Sequence, residues 1–571
     1  MRKNNQLLDS THTKSRFEQR YAQNMADTSQ RKAILLQLAL AISACLIFGY
    51  LTFQVKNAVV FHDEFVYKYW IDFAFSEPKP YSGDYPPVAP NLLYFRIYEA
   101  ASLFKSNWHQ AAQLINVLFW VGSIYFIAKI ARVLGVSNTA QSAIVLLSLA
   151  LPGISYIEYL MPESQYLFFF SGTTYCFLAG LFGRGTRYLV ASGLLTGCLY
   201  FTKPHAGIIF LFNSAFLLIQ ARNNKKLFAH LGAYVFGSLV AYLAIKYLIA
   251  PTNQTSSLGI YQQMLIGVAE NLIRGASNLG NAIPLLLKIF AAHILLPTTL
   301  LLPLILTSPL RQTDRATDAT FRIFKVYTLF LSLALICMSV FFTYAANEGS
   351  RIHTRYYFFL WPLWLALAAK LVESPTKDAR PSIFAFIAAA CLPITLLYYT
   401  RNYSDILHIS VVSDSPEYGF LFLNRLYLSI VLSLLIVCSF IYLKYRKITP
   451  YIAACLVVFA SSTYYVRNLQ GGVFAGTYTN SEEAAIYNKR YTSIELGELH
   501  LLGTSIDQVT KFLFHLDGYP SFDIAHSETI ESRDFSHLET VIILDAQIPP
   551  PNTHRCTKIS AHTRECKIDI P

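Results

Sequence analysis

Apolar runs of about 17–25 residues recur along this chain from residue 33 to residue 466, and short basic segments separate many of them. A helix needs about 20 predominantly apolar residues to cross the hydrocarbon core of a bilayer. In lipid, the backbone polar groups must be satisfied within the spanning structure itself, as they are in a helix. The pattern therefore predicts an all-α polytopic membrane body of about 13 transmembrane helices over residues 33–466.

The basic segments predict the orientation of these helices, because Lys and Arg are enriched in short cytoplasmic loops. If residues 1–32 form a cytoplasmic tail, every connection on the inner side contains Lys or Arg, from Arg31 to Lys444. An odd number of spans then places residues 467–571 on the outer face. We therefore expect a multi-pass protein of the inner or plasma membrane whose C-terminal domain faces the periplasm or another extracytoplasmic compartment.

The composition argues against several other classes of protein. Of the 571 residues, 54% are hydrophobic and 14% are charged, whereas soluble domains carry roughly 25% charged residues. The formal net charge of +12 comes from clusters between apolar runs, which indicates topology rather than a nucleic-acid site. The chain has no P-loop, dinucleotide fingerprint or zinc spacing, which disfavours an ATP-driven pump.

Residues 467–571 differ from the membrane body, because acidic residues become more frequent and short strand-like pieces appear. We predict a small α/β domain from a helical pattern and three strand-like pieces: Ile506–Leu516, His500–Leu502, Phe522–Ala525 and Val541–Leu544. Cys556 and Cys566 follow in an end segment that we expect to be irregular. A disulfide between them would fit an oxidising compartment, and two free thiols are the alternative.

The longest loop between two predicted spans, residues 56–110 on the outer side, begins with an acidic pair. Asp63 and Glu64 are flanked by aromatic residues typical of a membrane interface. Adjacent carboxylates in a medium of low dielectric repel each other unless one holds a proton or a cation lies nearby. The pair therefore suits a general base or a metal ligand. The alternative is that it caps an interfacial helix.

Charged residues also occur at other outer boundaries. Glu158 and Glu163 lie where the third predicted span, 140–160, meets the fourth, 163–183. Lys203 lies between the fifth and sixth spans on the outer side, against the positive-inside trend. An anionic ligand would explain this lysine, and snorkelling to lipid headgroups is the alternative.

Arg351, His353 and Arg355 alternate on the outer side between the ninth and tenth predicted spans. Two guanidinium groups at a membrane edge could bind a phosphate through paired hydrogen bonds. Anchoring to headgroups is the alternative. Two arginines around a histidine, on the face where basic residues are rare, favour the phosphate site.

These residues resemble motifs of the GT-C superfamily, which are integral membrane glycosyltransferases that take a sugar from a polyprenyl-phosphate donor. An acidic pair after the first span is similar to that of the protein O-mannosyltransferases and of the aminoarabinose transferases that modify lipid A. The resemblance covers residues 33–370 and rests on Asp63-Glu64, the Pro86-Pro87 loop, the glycine-spaced segment from Gly193 to Pro204, and Arg355-Tyr356-Tyr357. Family members often have His where this chain has Tyr85, which leaves the acceptor and the subfamily open.

The resemblance implies a GT-C-like fold and transfer of a pentose or hexose to a glycolipid, glycan or protein acceptor at the outer face. We predict a single displacement that inverts the anomeric carbon, with Asp63 as general base. Glu64 would orient the acceptor or a metal ion. Arg351 and Arg355 would bind the departing phosphate.

The remaining predicted roles support this reaction. Lys203 and His353 would assist in binding the phosphate, and Glu158 and Glu163 would bind sugar hydroxyls. No nucleotide cofactor is required, and a divalent metal ion held by the acidic pair is left open. The expected partners are a polyprenyl-phosphate-linked donor such as an undecaprenyl lipid, the acceptor and membrane lipids, but no nucleic acid.

Two other functions are considered beside glycosyl transfer. A flippase or transporter of lipid-linked glycans would use its intramembrane charges as a conduction path. Transporters often have internal symmetry and broken helices near the midplane, whereas the charges here cluster on the outer side. A membrane scaffold whose tail binds partners leaves the outer charge cluster unexplained.

Overall fold

The computed structural model of this chain describes two groups of segments. The helical group comprises residues 30–50, 62–73, 91–104, 107–149, 156–221, 226–249, 282–294, 316–345 and 352–373. The C-terminal group comprises residues 484–491, 499–503, 521–524, 540–544, 554–558 and 563–568, and a few isolated positions are described between these segments.

Apolar helices make up the first group. In chain order they are α1 (Gln30–Tyr50), α2 (His62–Phe73), α3 (Leu92–Ser102), α4 (Trp108–Val133), α5 (Asn138–Leu149), α6 (Glu163–Ala179), α7 (Thr186–Tyr200), α8 (Ala206–Ala221), α9 (Lys226–Leu248), α10 (Ala282–Ile294), α11 (Ala316–Ala345) and α12 (Trp361–Glu373). A π-helical turn, Gly180–Arg184, follows α6, and two 3₁₀ turns, Thr354–Tyr356 and Phe358–Leu360, precede α12.

The described helices confirm a predominantly helical membrane body. Five are long and apolar enough to cross a bilayer, namely α1, α4, α6 with its π turn, α9 and α11. Shorter apolar helices include α5, α8 and α10. The prediction of about 13 spans extends into residues 374–483, which lie outside the described residues.

The third predicted span, 140–160, is wrong as a single helix. Helix α5 ends at Leu149, and residues 156–162 form turns and bends. The sequence supplies a physical reason, because Pro152 and Gly153 both disfavour a helix interior. The break leaves a non-helical segment before α6, and this segment carries Glu158 towards the site described below.

Helices α7 and α9 cross with their backbones in contact. A Cβ atom added at Gly193 of α7 would lie 2.1 Å from the carbonyl oxygen of Tyr234. A Cβ atom added at Gly237 of α9 would lie 2.2 Å from the carbonyl oxygen of Val190. Membrane helices associate through such close packing of small residues, because lipid tails provide no hydrophobic driving force between helices. The glycine-spaced segment found in the sequence thus serves helix packing.

The C-terminal group contains a mixed five-stranded sheet. Its strands are β1 (His500–Gly503), β2 (Ser521–Ile524), β3 (Thr540–Ile543), β4 (His554–Lys558) and β5 (Arg564–Ile568), in the spatial order β2-β1-β3-β5-β4. Strands β2 and β3 lie parallel to β1, whereas β5 lies antiparallel to both β3 and β4. The first three strands confirm the predicted strand-like pieces to within one residue at each end.

The expectation of an irregular end segment is wrong, because β4 and β5 form an antiparallel pair there. Cys556 and Cys566 lie directly opposite each other in its register and are joined by the predicted disulfide. The sequence did not reveal these two strands because their exposed positions carry polar residues. In addition, β5 pairs with β3, which is a contact that the local sequence does not show. The assignment of residues 467–571 as a separate extracytoplasmic domain stays a prediction.

A cluster of buried side chains joins the loop after α1 to the C-terminal sheet. Helices α2 and α3 contribute mainly aromatic residues, and the sheet region contributes mainly aliphatic residues: Phe65, Tyr69, Trp70, Tyr94, Phe95 and Tyr98 on one side, and Leu499, Leu501, Val509, Phe512, Leu513 and Ile542 on the other. The sheet is therefore packed against α2, which begins at the predicted acidic pair, and against α3.

We expect Gly237→Ala to destabilise the protein and Gly232→Ala to leave it unchanged or slightly more stable. Both substitutions raise helix propensity in α9 by about 1 kcal/mol. The new methyl group at position 237 meets the Val190 backbone, whereas nothing lies within 4 Å of the one at position 232. Overpacking of this kind costs about 1–3 kcal/mol. Thermal unfolding of the two variants in detergent checks this, and equal melting temperatures would contradict the backbone contact.

Candidate active site

The acidic pair begins helix α2, in its first turn. The Oε1 atom of Glu64 accepts a hydrogen bond of 2.7 Å from the backbone N–H of Leu160, and the Glu64 side chain is fully buried. Leu160 belongs to the non-helical segment before α6. One carboxylate of the pair therefore fixes the loop after α1 to the membrane body. The side chain of Asp63 lies outside the described residues.

Helix α3 is attached to the link between α7 and α8. The Asn91 side chain donates a 2.7 Å hydrogen bond to the Thr202 carbonyl oxygen, and the Leu93 N–H donates one of 3.1 Å to the carbonyl oxygen of Phe201. The Gln165 amide donates to the Thr202 hydroxyl at 3.2 Å. These bonds hold the N-terminal ends of α3 and α6 and the C-terminal end of α7 together.

A buried ion pair lies at this junction. The Lys203 ammonium group contacts the Oε1 atom of Glu163, and the two side chains are 5% and 1% exposed, respectively. Glu163 is the first residue of α6, and Lys203 follows the end of α7. The second carboxylate oxygen, Oε2, is buried and accepts no hydrogen bond from the part of the chain that the structure describes. This oxygen is thus available to a hydroxyl group from a ligand.

Two cationic side chains, Lys203 and Arg355, lie near the ring of Tyr356. The Lys203 Nζ atom lies 5.6 Å from the ring centroid, and the Arg355 guanidinium carbon lies 5.4 Å from it. At these distances the ring face attracts a positive charge. Arg355 and Tyr356 belong to the first 3₁₀ turn before α12. The late Arg-Tyr motif and the Lys-Pro motif of the sequence therefore meet around one aromatic ring.

His205 completes this group from the link between α7 and α8. Its ring lies edge-on to Tyr356, with 5.5 Å between centroids, and 4.6 Å from the ring of Tyr166. Burial and the positive charges of Lys203 and Arg355 lower the pKa of His205 well below its usual value. The imidazole is therefore neutral at physiological pH, and the positive charge of this group comes from Lys203 and Arg355.

Two phenol groups of α3 face the carboxylates. Tyr94 and Tyr98 are fully buried, with 4.2 Å between ring centroids. Burial, and the negative charge of Glu163 near both, raise the pKa of each phenol well above its usual value. The Tyr98 hydroxyl donates to the Asn116 side-chain oxygen. Both phenols therefore stay protonated and can act only as neutral donors or acceptors of hydrogen bonds.

Glu158 lies in the segment before α6, next to α4. The Gln113 amide donates to the Glu158 backbone oxygen at 3.1 Å and to its Oε2 atom at 3.3 Å. Burial raises the pKa of Glu158 to about 7. This carboxyl group titrates near physiological pH, whereas the carboxylate of Glu163 is paired with a lysine.

The structure brings Glu163, Lys203 and Arg355 together and connects Glu64 to the same region through Leu160. His353 is fully buried, and its carbonyl oxygen accepts a 3.1 Å hydrogen bond from the Ser339 hydroxyl. Arg351 lies outside the described residues. Snorkelling of Lys203 is wrong, because its ammonium group is buried against Glu163.

Sequence reasoning assigned no role to several residues that the structure places at the site: Tyr94, Tyr98, Tyr166, His205 and Tyr356. His205 follows the Lys-Pro pair and Tyr356 follows Arg355, so their position next to predicted site residues could have identified them as site residues. In the sequence, the tyrosines of α3 fit the apolar face of an amphipathic helix. Only tertiary packing shows that this face meets carboxylates.

The described side chains do not form a metal site. No group of three or more His, Cys, Asp and Glu side chains able to hold an ion occurs among the residues that the structure describes. The carboxylate of Glu64 is already engaged by the Leu160 N–H. A divalent ion held by Asp63 and Glu64 stays a prediction, because the Asp63 side chain lies outside the described residues.

Comparison with known proteins identifies the architecture. Residues 84–246 match the family model described as dolichyl-phosphate-mannose-protein mannosyltransferase. This region includes both partners of the Glu163–Lys203 ion pair. None of the curated proteins compared with the chain matches it.

Two solved structures are similar to this one. ArnT from Cupriavidus metallidurans bound to undecaprenyl phosphate is 12% identical, with a TM-score of 0.54 over 93% of this chain and 97% of that chain. The Archaeoglobus fulgidus oligosaccharyltransferase tethered with an acceptor peptide is 13% identical, with a TM-score of 0.42 over 89% and 68% of the two chains. The family-model match over residues 84–246 and the likeness to ArnT confirm the resemblance, and the chain has an ArnT-like fold with several helices long and apolar enough to cross a membrane.

We expect Glu163→Gln to destabilise the protein by about 3–5 kcal/mol, because it leaves the buried charge of Lys203 without its carboxylate. The double variant Glu163→Gln, Lys203→Met should regain most of that loss, since neither charge remains buried. Thermal unfolding of the two variants and the wild type checks this. A double variant that is less stable than Glu163→Gln would show that the ion pair does not account for the effect.

Glu158 should make the stability of the protein pH-dependent. Its folded-state pKa of about 7 exceeds the unfolded value of about 4.3, so folding favours the protonated form. Its contribution to stability is fully present below about pH 4 and is lost as the pH rises through about 7. Glu158→Gln mimics the protonated form, so its melting temperature should exceed that of the wild type more at pH 8 than at pH 5. A constant difference would refute this titration.

Proposed function

We propose that this protein is an inverting glycosyltransferase that moves a sugar from a polyprenyl-phosphate donor to an envelope glycolipid, glycan or protein at the outer face of the membrane. The observation that carries the proposal is the convergence of Glu163, Lys203 and Arg355 around Tyr356. These residues lie far apart in the sequence, in segments that are all predicted to lie at the outer face of the membrane. One group thereby combines cations for a phosphate with a carboxylate oxygen for a hydroxyl.

The leaving group determines the role of the cations. When the bond between the anomeric carbon and the phosphate breaks, negative charge develops on the phosphate, and preorganised cations stabilise it. Arg355 offers a planar donor pair suited to phosphate. Lys203 lies at the same aromatic ring, although Glu163 balances part of its charge. In this proposal Arg351 and His353 extend the phosphate site.

The acceptor needs a base and an orienting group. We assign the base to Asp63, because it adjoins Glu64 in the first turn of α2. Glu64 is held by the Leu160 N–H, which suits a fixed group that orients the acceptor rather than one that exchanges protons. Attack by the deprotonated hydroxyl opposite the phosphate inverts the anomeric carbon in one displacement.

The sugar ring would lie between these groups. Glu163 Oε2, the Tyr94 hydroxyl and His205 Nε2 are buried, and none of them has a hydrogen-bond partner among the described residues. Buried polar atoms need partners, and sugar hydroxyls would supply them. We also assign Glu158, in the segment before α6, to the binding of sugar hydroxyls.

The comparisons support a lipid-linked donor. The name of the matching family specifies dolichyl-phosphate-mannose, and the ArnT structure was determined with undecaprenyl phosphate. Both are polyprenyl phosphates. An undecaprenyl-linked pentose or hexose is the donor we propose if the chain resides in a bacterial inner membrane, with residues 1–32 in the cytoplasm and residues 467–571 in the periplasm.

The test is transfer of radiolabelled sugar from a polyprenyl-phosphate donor pool in membranes that contain the protein. Asp63→Asn should reduce transfer by about 10²–10⁴-fold, the range for loss of a general base. Asp72→Asn is the matched control, since Asp72 is an exposed carboxyl group near the other end of the same helix. Arg355→Ala should reduce transfer while Arg96→Ala, on the exposed side of α3, should not.

The same assay separates the proposal from its rival. Label that reaches an acceptor with the wild type, but not with Asp63→Asn, supports transfer. Label that crosses the membrane without reaching any acceptor indicates a flippase. A folded Asp63→Asn protein with wild-type activity would show that the base is assigned wrongly.

A further inference from the structure

Lys68 is a buried cation of α2 that the proposed reaction does not use. Its side chain is buried, and its ammonium group donates a 3.1 Å hydrogen bond to the backbone carbonyl oxygen of Leu516 in the C-terminal region. The ammonium group also lies 5.6 Å from the centroid of the Trp108 ring at the start of α4. Burying an ammonium group is costly unless such partners compensate for the lost water. This lysine is therefore held in a specific position.

Glu64 and Lys68 are four residues apart, so they lie on the same side of α2, one turn apart. Glu64 binds the Leu160 N–H in the membrane body, and Lys68 binds the Leu516 carbonyl oxygen in the C-terminal region. Two directional contacts one turn apart restrict both the rotation of α2 about its axis and its shift along that axis. One of the two contacts depends on the C-terminal region.

The hydrogen bond between Lys68 and Leu516 lies beside a buried cluster that contains residues of both α2 and the sheet. Phe65 and Trp70 of α2 belong to the same buried cluster as Leu501 of β1 and Ile542 of β3. Phe512 lies in that cluster close in sequence to Leu516. Close-packed interiors transmit small displacements rather than absorb them. A shift of the sheet would therefore move α2.

We propose that Lys68 is a positioning residue, through which the C-terminal domain fixes α2 and thereby places Asp63 and Glu64 for the reaction. This inference rests on the proposed function, because it assigns Lys68 an effect on the acidic pair. The C-terminal domain is then part of the catalytic architecture, although it supplies none of the residues assigned to the chemistry.

A purely stabilising contact and a positioning contact predict different kinetics. Arg355 and Lys203 bind the donor phosphate in the proposed mechanism, and they lie on segments other than α2. Loss of the Lys68 contact should therefore lower kcat and leave the KM for the donor unchanged. A contact that only stabilises the fold would reduce the amount of active protein and leave both constants of the folded fraction unchanged.

The experiment compares Lys68→Met, Lys68→Arg and Arg96→Met in the full-length chain. Lys68→Met keeps the apolar stem and removes the donor, so kcat normalised to folded protein should fall at least about tenfold. Lys68→Arg, which can still donate to Leu516, should recover most of that loss. Arg96→Met removes an exposed cation of α3 and should match the wild type.

Hydrogen–deuterium exchange provides a second readout that does not depend on glycosyl transfer. The amides of α2 should exchange faster in Lys68→Met than in the wild type or Arg96→Met. If this difference appears while the wild type shows no transferase activity, the contact is real and the proposed function fails. If Lys68→Met does not accumulate as folded protein, Trp108→Leu, which removes the ring beside the ammonium group, is compared by the same measurements.

Two results would overturn the proposal. Unchanged kcat and unchanged α2 exchange in a folded Lys68→Met variant would show that the C-terminal contact does not position α2. An increase in the donor KM with constant kcat would show that Lys68 acts on donor binding instead.

Discussion

The ion pair between Glu163 and Lys203 is the interaction on which the arrangement of this site depends. Two opposite charges are buried where the first residue of α6 meets the segment after α7, and each would be strongly destabilising without the other. The pair therefore requires these helix ends to meet. Since Lys203 also faces the Tyr356 ring, the same contact brings the 3₁₀ turn of Arg355 to the junction.

The remaining polar contacts reinforce that junction from other directions. Asn91 and Leu93 attach α3 to the link after α7, and Glu64 attaches α2 to the segment before α6. Most of these contacts use a backbone N–H or C=O group, so they do not depend on the identity of the partner side chain. Such contacts allow motifs that are far apart in sequence to assemble one site even where overall identity to related folds is low.

The sequence predicted much of this organisation, for identifiable physical reasons. Apolar runs and basic loops revealed the helical body, and Lys203 was noticeable because it follows a predicted span on the side that is predicted to be poor in basic residues. Burial of Tyr94 beside a carboxylate was not predictable, because an aromatic residue on an amphipathic helix fits a lipid surface equally well. The break after α5 was overlooked because the apolar run continues through Pro152. The strand pair β4–β5 was overlooked because its order comes from a neighbour distant in sequence, β3.

The glycine contacts between α7 and α9 have a consequence for how a lipid-linked donor of the kind proposed above would enter. Two helices whose backbones touch cannot slide or part without losing that packing, so they form a rigid wall beside Lys203. In the proposed reaction, the polyprenyl chain of the donor would reach the phosphate site by diffusion within the bilayer. Any opening that admits it would lie at a contact other than the one between α7 and α9, so the wall beside Lys203 would stay unchanged as donor and spent carrier exchange.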